Sequence, residues 1–284
     1  MRRALICLSA LLLLPVAAAA QERPLQTVDA ETVPPGTLRA AIGFDFLQDV
    51  DFPLSGLNGD LTSIGVVGFR MGVGKLVEVQ LSGVIQNFLD IKAQGVSFAG
   101  PLQLSGANST HDVGDFALAT KIRLVGESGK RPGIAFEFGF IMPNSNQAKG
   151  IGTNTTNVFA LVALEKHLKG VQLTGNLGIE ILQAPNALFS QNDVLLYGFA
   201  FSVPVRSRLH VVGEIAGRQS TRSIATGLLG TESQSQARLG VQLLAGGLTW
   251  DVAGIAGLQT HDPKAGVTFG VTKDITLFDY GRVK

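Results

Sequence analysis

The sequence predicts an all-β chain, a transmembrane antiparallel up-and-down β-barrel of about 12 strands. Three observations predict it. Side chains alternate apolar and polar along segments of about ten residues. The composition is poor in charge yet holds no apolar run long enough for a membrane helix. The connections between segments alternate short and long.

The first element is not part of the barrel. Arg2 and Arg3 precede an apolar stretch from Ala4 to Val16, which closes on Ala17, Ala18, Ala19 and Ala20. A charged start, a short apolar middle and a small-residue exit make a secretory signal peptide. Its apolar part is short against the roughly 20 residues of a membrane helix. The expected reading is export with cleavage after Ala20; a retained anchor is the alternative. Cys7 is the one cysteine and leaves with residues 1–20, so the mature chain carries no disulfide scaffold and no thiolate metal site. Residues 21–36 are polar and contain proline, and read as a periplasmic lead-in to a barrel over 37–284.

Composition sets the class. Charged residues are 16% of the chain and glycine 35 of 284 positions, where soluble domains average about a quarter and about 7%. A soluble domain would carry more charge, and a helical membrane protein longer apolar runs. A barrel needs only alternate residues facing lipid. The formal charge of +1 becomes −1 once Arg2 and Arg3 are removed, so nothing points to nucleic acid.

Alternation then locates the strands. In 76–87, Val77, Val79, Leu81 and Ile85 oppose Glu78, Gln80, Ser82 and Gln86. In 114–125, Phe116, Leu118, Ile122 and Leu124 oppose Lys121 and Arg123. In 132–142, Ile134, Phe136, Phe138 and Phe140 oppose Glu137, and in 171–182 Val171, Leu173, Leu177 and Ile179 oppose Gln172, Thr174, Asn176 and Glu180. Successive strand side chains point to opposite faces, so each segment has an oily and a wet side. The same reading gives strands at 37–46, 60–73, 157–167, 193–204, 207–217, 235–245, 248–258 and 265–273. The connections near 74–75, 126–131, 168–170, 205–206 and 246–247 are short; those near 47–59, 88–113, 143–156, 183–192, 218–234 and 259–264 are long. Short periplasmic turns opposite longer external loops are the barrel pattern.

The inward positions include Arg39, Glu78, Lys121, Arg123, Glu137, Glu180, His210, Glu214, Arg238 and Asp251, with Asp45 and Arg70 beside them. They are candidates for lining a channel, with balanced signs that predict no strong ion selectivity. The bland alternative is that opposite charges pair and fill the lumen. Outward aromatics Phe44, Phe46, Phe69, Phe138, Phe140, Phe199, Phe201 and Phe269 suit lipid, while Tyr197 and Trp250 suit the interface.

No catalytic, cofactor or metal site is expected. Four scattered histidines give no ligand spacing. His111-Asp112, beside Ser109 and Thr110, and His261-Asp262 are sequence neighbours, which rarely form a Ser/His/Asp relay. The glycines of Gly150-Ile151-Gly152 do not sit between a strand and a helix, so they cradle no phosphate.

Gly114-Asp115-Phe116 running to Lys121, then Gly133 to Pro143, then Gly150-Ile151-Gly152-Thr153, carry a resemblance. In this order they resemble the outer-membrane barrel family associated with the meta-pathway of phenol degradation. The resemblance covers roughly residues 40–284, and the recognisable motif within it covers 114–166. The resemblance implies passage of small aromatic or hydrophobic compounds across the outer membrane and supplies no catalytic residues. One departure is the ending Phe278-Asp279-Tyr280-Gly281-Arg282-Val283-Lys284, since barrels commonly end on an aromatic residue. The last strand then stops near Phe278, or lies elsewhere. The leading expectation is a passive channel or transporter whose partners are outer-membrane lipid and small solutes. A closed structural or partner-binding barrel is the alternative, and an outer-membrane lipid hydrolase the third reading. Oligomeric state stays open.

Overall fold

The computed structural model describes residues 23–188, 190–222 and 230–278. The signal-peptide segment lies outside them. The strands are β1 (Thr37–Phe52), β2 (Leu57–Gly72), β3 (Val77–Gln94), β4 (Ser109–Asp112), β5 (Phe116–Val125), β6 (Gly133–Met142), β7 (Asn157–Leu168), β8 (Val171–Leu182), β9 (Asn192–Arg206), β10 (Leu209–Ser220), β11 (Gln234–Ala245), β12 (Leu248–Gly257) and β13 (Ala265–Thr276). Every neighbouring pair is antiparallel, and β1 pairs β13 from Thr37↔Thr276 to Gln48↔Ala265, which closes the sheet on itself. β4 and β5 pair successive stretches of β3, at 87–90 and 77–82, and the amide of Gly114 bonds Val84 O between them. The thirteen strands thus fill twelve positions around a closed barrel. Closure leaves no unpaired edge, which lipid would not solvate.

Alternation becomes a wall with two faces. Outward side chains such as Ile42, Leu177, Phe199, Leu239 and Phe269 are half-exposed or more, while Glu78, Lys121, Glu137, Glu214 and Asp251 are at most 5% exposed. In a soluble protein that distribution would be inverted. The wet face points inward and the oily face outward, as in membrane barrels. Trp250 packs on Phe269 with centroids 6.4 Å apart on the outer face, near the β11–β12 turn. Phe136 stacks on Phe138 at 5.8 Å.

Three boundaries depart from the sequence expectation. β1, β2 and β3 run 16, 16 and 18 residues, so the long connection read at 47–59 shrinks to a turn at 53–56. The parity of inward residues shifts within β2, from Ser63 to Arg70, and Gly65 is the extra residue, a bulge against β1 between Gly43 and Phe44. Its φ of +67° and a Cβ site only 2.8 Å from Ile85 Cδ1 require glycine. A bulge breaks period two, so simple alternation cannot carry a reading through it. β13 ends at Thr276, and the amides of Leu277 and Phe278 then bond Gly36 O.

The larger departure concerns residues 21–36. The described part, from Arg23 onward, does not lie outside the barrel as a lead-in but runs inside it. Alternation carries no information about a segment without strand partners, so the sequence could not place it.

Candidate functional site

Residues Arg23 to Val33 cross the barrel interior without forming a strand of the sheet. Their amides need acceptors, because a buried unpaired N–H is costly. The barrel wall supplies them from side chains. Glu214 accepts the amides of Gln26 and Thr27 and the Thr27 hydroxyl at 2.7–2.9 Å. Asn176 accepts from Val28 N and donates to Val28 O, both at 2.7 Å. Glu165 takes Ala30 N at 3.0 Å and Glu78 takes Val33 N at 2.6 Å. On the carbonyl side, Gln242 donates to Arg23 O at 2.6 Å and Arg238 to Pro24 O at 2.9 Å. From Arg23 to Val33 the segment thereby touches β11, β10, β8, β7 and β3 in turn.

Charges fasten both ends. Lys121, fully buried, sits 2.7 Å from Asp29 Oδ1 and 3.4 Å from Glu78 Oε1. Gln80 bridges Glu78 to Glu137, each at 2.9 Å. Arg123 pairs with Glu31. At the other end Arg23 donates to Thr268 Oγ1 at 2.6 Å and Phe269 O at 3.2 Å, beside Asp45 at 3.4 Å and Asp251 at 3.7 Å.

Glycines shape the wall for this guest. A Cβ on Gly270 would stand 2.4 Å from Arg23 Nε and 3.0 Å from Asp251 Oδ2, both side-chain atoms. A Cβ on Gly198 would stand 2.9 Å from Thr27 Oγ1. Gly270→Ala is therefore expected to expel the Arg23 guanidinium while leaving the β12–β13 ladder intact. Hydrogen exchange at the amides of Gln26 to Val28 should then be faster than in the parent chain, because the segment has lost its anchor at that end.

Two cavities flank the segment. One of about 950 Å³ lies on the short-turn side, lined by residues that include Glu31, Pro34, Lys75, Ser128, His167 and Gly247. The other, about 260 Å³, lies on the long-loop side of Gln26 and Thr27. They share no lining residue. The long-loop end is also covered. Ser55 donates to Gly150 O at 2.6 Å, Thr110 to Lys149 O at 2.9 Å, and Gly230 approaches Leu54 and Thr153. The Gly-x-Gly-Thr stretch thus belongs to a loop that folds onto the β1–β2 turn.

The family model described as "Putative MetA-pathway of phenol degradation" matches residues 21–275, a span that takes in both the lumen segment and the barrel. The chain belongs to this family. The match bears out the resemblance, which spans roughly 40–284 and carries its recognisable motif at 114–166. Among solved structures, an outer membrane channel from Pseudomonas putida F1 superposes with a TM-score of 0.62 at 13% identity, over 88% of this chain and 100% of that one. At that identity the likeness shows the fold. The NanC porin (TM-score 0.49, 9% identity, 83% of this chain and 97% of that one) and the translocator domain of the Neisseria meningitidis autotransporter NalP (0.49, 13%, 83% and 88%) are more distant and add nothing to it. No curated protein matches the sequence.

Within this family member, the inward candidates fall into groups. Glu78, Lys121, Arg123, Glu214, Arg238 and Asp251 hold the segment, and Glu137 joins them through Gln80. Arg39 instead clasps Asp274 of β13 at 2.6 and 2.7 Å across the closure. Glu180 is buried on β8, away from the segment's contacts. His210 meets Ser202 at 3.2 Å. Sequence reasoning missed Arg23, Asp29, Glu165 and Gln242. Strand parity could have found Glu165 and Gln242, but nothing local marks Arg23 or Asp29.

The Ser202–His210 pair has no carboxylate on the ring among the described residues, and it lies near the short turns. His261 pairs with Asp51 at 2.6 Å but meets no serine there. A relay needs all three groups in line. Glu127, Glu165 and His167 bring ligand atoms within 4.8 Å of one another. Lys166 Nζ already stands 2.6 Å from Glu127, however, and the His167 ring 2.7 Å, so the cluster closes as an ion pair. Burial raises the Glu127 carboxyl pKa, but the hydrogen bonds from Lys166 and His167 outweigh it and hold it at about 2.

Proposed function

We propose that the mature chain, after loss of residues 1–20 on export, resides in the outer membrane as a non-enzymatic channel for small solutes, closed in this conformation by residues 23–33. The carrying observation is the pair of cavities separated by one segment that is held by hydrogen bonds and ion pairs rather than by the sheet. Such contacts exchange with water, whereas a sheet ladder inside lipid does not. Passage would need the segment to shift and the loops over the outer mouth to part. Family membership supports small aromatic or hydrophobic cargo, and the residues named above would line its path.

A closed structural or partner-binding barrel is the second reading. It is favoured by the full burial of Lys121, Asp29 and Glu78, which leaves no exposed surface on that cluster in the lumen. Conductance of the refolded mature protein in a planar bilayer, with and without small aromatic acids, separates the two. Intermittent or steady conductance that these acids block is the expected result. A folded, heat-modifiable barrel that never conducts at any voltage would overturn the channel and leave the structural reading.

A further inference from the structure

The loop-side cavity differs in chemistry from the rest of the lumen. Elsewhere the inward cations are engaged: Lys121 and Arg123 by carboxylates, Arg238 by Pro24 O and Gln236, Arg39 by Asp274. Arg218 on β10 makes one hydrogen bond, from Nε to Glu232 O at 3.2 Å, and feels the negative charge of Glu180 on β8. Its terminal nitrogens make no hydrogen bond among the described residues, and Glu180 acts on it from beyond the 4.0 Å of a direct ion pair, which leaves the planar edge of the guanidinium open to the cavity.

The lining around Arg218 has two textures. Leu161, Leu196 and Ala216 give an apolar wall. Gln26 and Gln234 add side-chain amides that likewise lack hydrogen bonds among the described residues. At about 260 Å³ the space falls below the roughly 300–1,000 Å³ of pockets for drug-sized ligands. A guanidinium with free, parallel N–H groups matches a carboxylate in two hydrogen bonds. An apolar wall of this extent suits a single ring or a short hydrocarbon body, and the amides suit a hydroxyl or carbonyl upon it.

We infer that this cavity is a subsite for small organic carboxylates, with Arg218 as the anion contact and Leu161, Leu196 and Ala216 against the hydrocarbon body. This deepens the channel reading and rests on it for its role in passage. Binding itself does not require conduction. The carboxylate would wait above Gln26 and Thr27, on the outer side of the closing segment.

Calorimetric titration of the refolded mature protein in detergent micelles tests it, with benzoate and its neutral analogue benzamide as probes. Benzoate is expected to bind about tenfold more tightly than benzamide, the preference one charge-assisted contact supplies. R218Q should erase that preference while the barrel stays heat-modifiable. L196W, which keeps Arg218 but fills the cavity, should abolish binding of both probes. Equal affinity for the two probes, or an R218Q protein that keeps the preference, would overturn the subsite. Bilayer conductance run in parallel separates this failure from that of the channel: a conducting barrel without the preference sinks the subsite alone. A silent barrel that keeps the preference upholds the subsite and sinks the channel.

Discussion

A chain lacking residues 21–32 is expected to conduct severalfold more current per channel than the full mature chain, and to stay open. The barrel does not need the segment to close, because the β1–β13 ladder is complete without it. Val33 stays in the shortened chain, so its bond to Glu78 and the Pro35–Gly72 bridge can persist at the rim. The groups the segment leaves behind, chiefly Glu214, Asn176 and Lys121, would face water rather than a dry interior. A charge in water escapes the desolvation that makes an unpaired buried charge expensive. The two cavities would then merge into one path. Unchanged conductance would instead place the resistance in the loops that meet at Ser55, Gly150 and Gly230, and would make the segment a filler rather than the closure.

Lys121→Met is expected to destabilise the full mature chain by about 3–5 kcal/mol, the usual cost of removing one partner from a buried ion cluster. The substitution keeps most of the side-chain volume and deletes only the ammonium. Asp29 and Glu78, both fully buried, would then face each other with Glu137 close by and the cation at their centre gone. Urea unfolding in micelles measures the loss. Adding Asp29→Asn should restore part of it, because the two positions act on one interaction. In the chain lacking residues 21–32 the same Lys121→Met change should cost under about 1 kcal/mol, since water then reaches the site. Equal losses with and without the segment would show that Lys121 stabilises the strands themselves and not the plugged state.

Most of the wall was legible because its physics is local. Glu78 and Gln80 alternate with Val77 and Val79, and one pleat sends them to water and lipid respectively. The short turn at Gly246-Gly247, where φ is +63° and +73°, is written in two glycines that accept such angles at no steric cost. The same locality explains the misses. The parity shift at Gly65 runs through both β2 and β3, which stay in register there, and the loop-side extension of β1 to β3 follows from pairings among three long strands that no single strand announces. Part of the glycine excess was visible as a number but not as a purpose: Gly270 and Gly198 are small because Arg23 and Thr27 lie against them.

The sequence by itself determined an antiparallel barrel, its strands, its oily outside and its charged inside, since each depends on neighbours two residues apart. Only the tertiary structure decided which charges meet. Thr27 finds Glu214 across 187 positions of chain, Arg23 finds Thr268 across 245, and Lys121 finds Asp29 across 92. Such pairings form only when closing the sheet brings distant strands around a common interior. The segment that fills this interior has no periodicity of its own to betray it. Its place is set by the acceptors and the room that the finished wall provides.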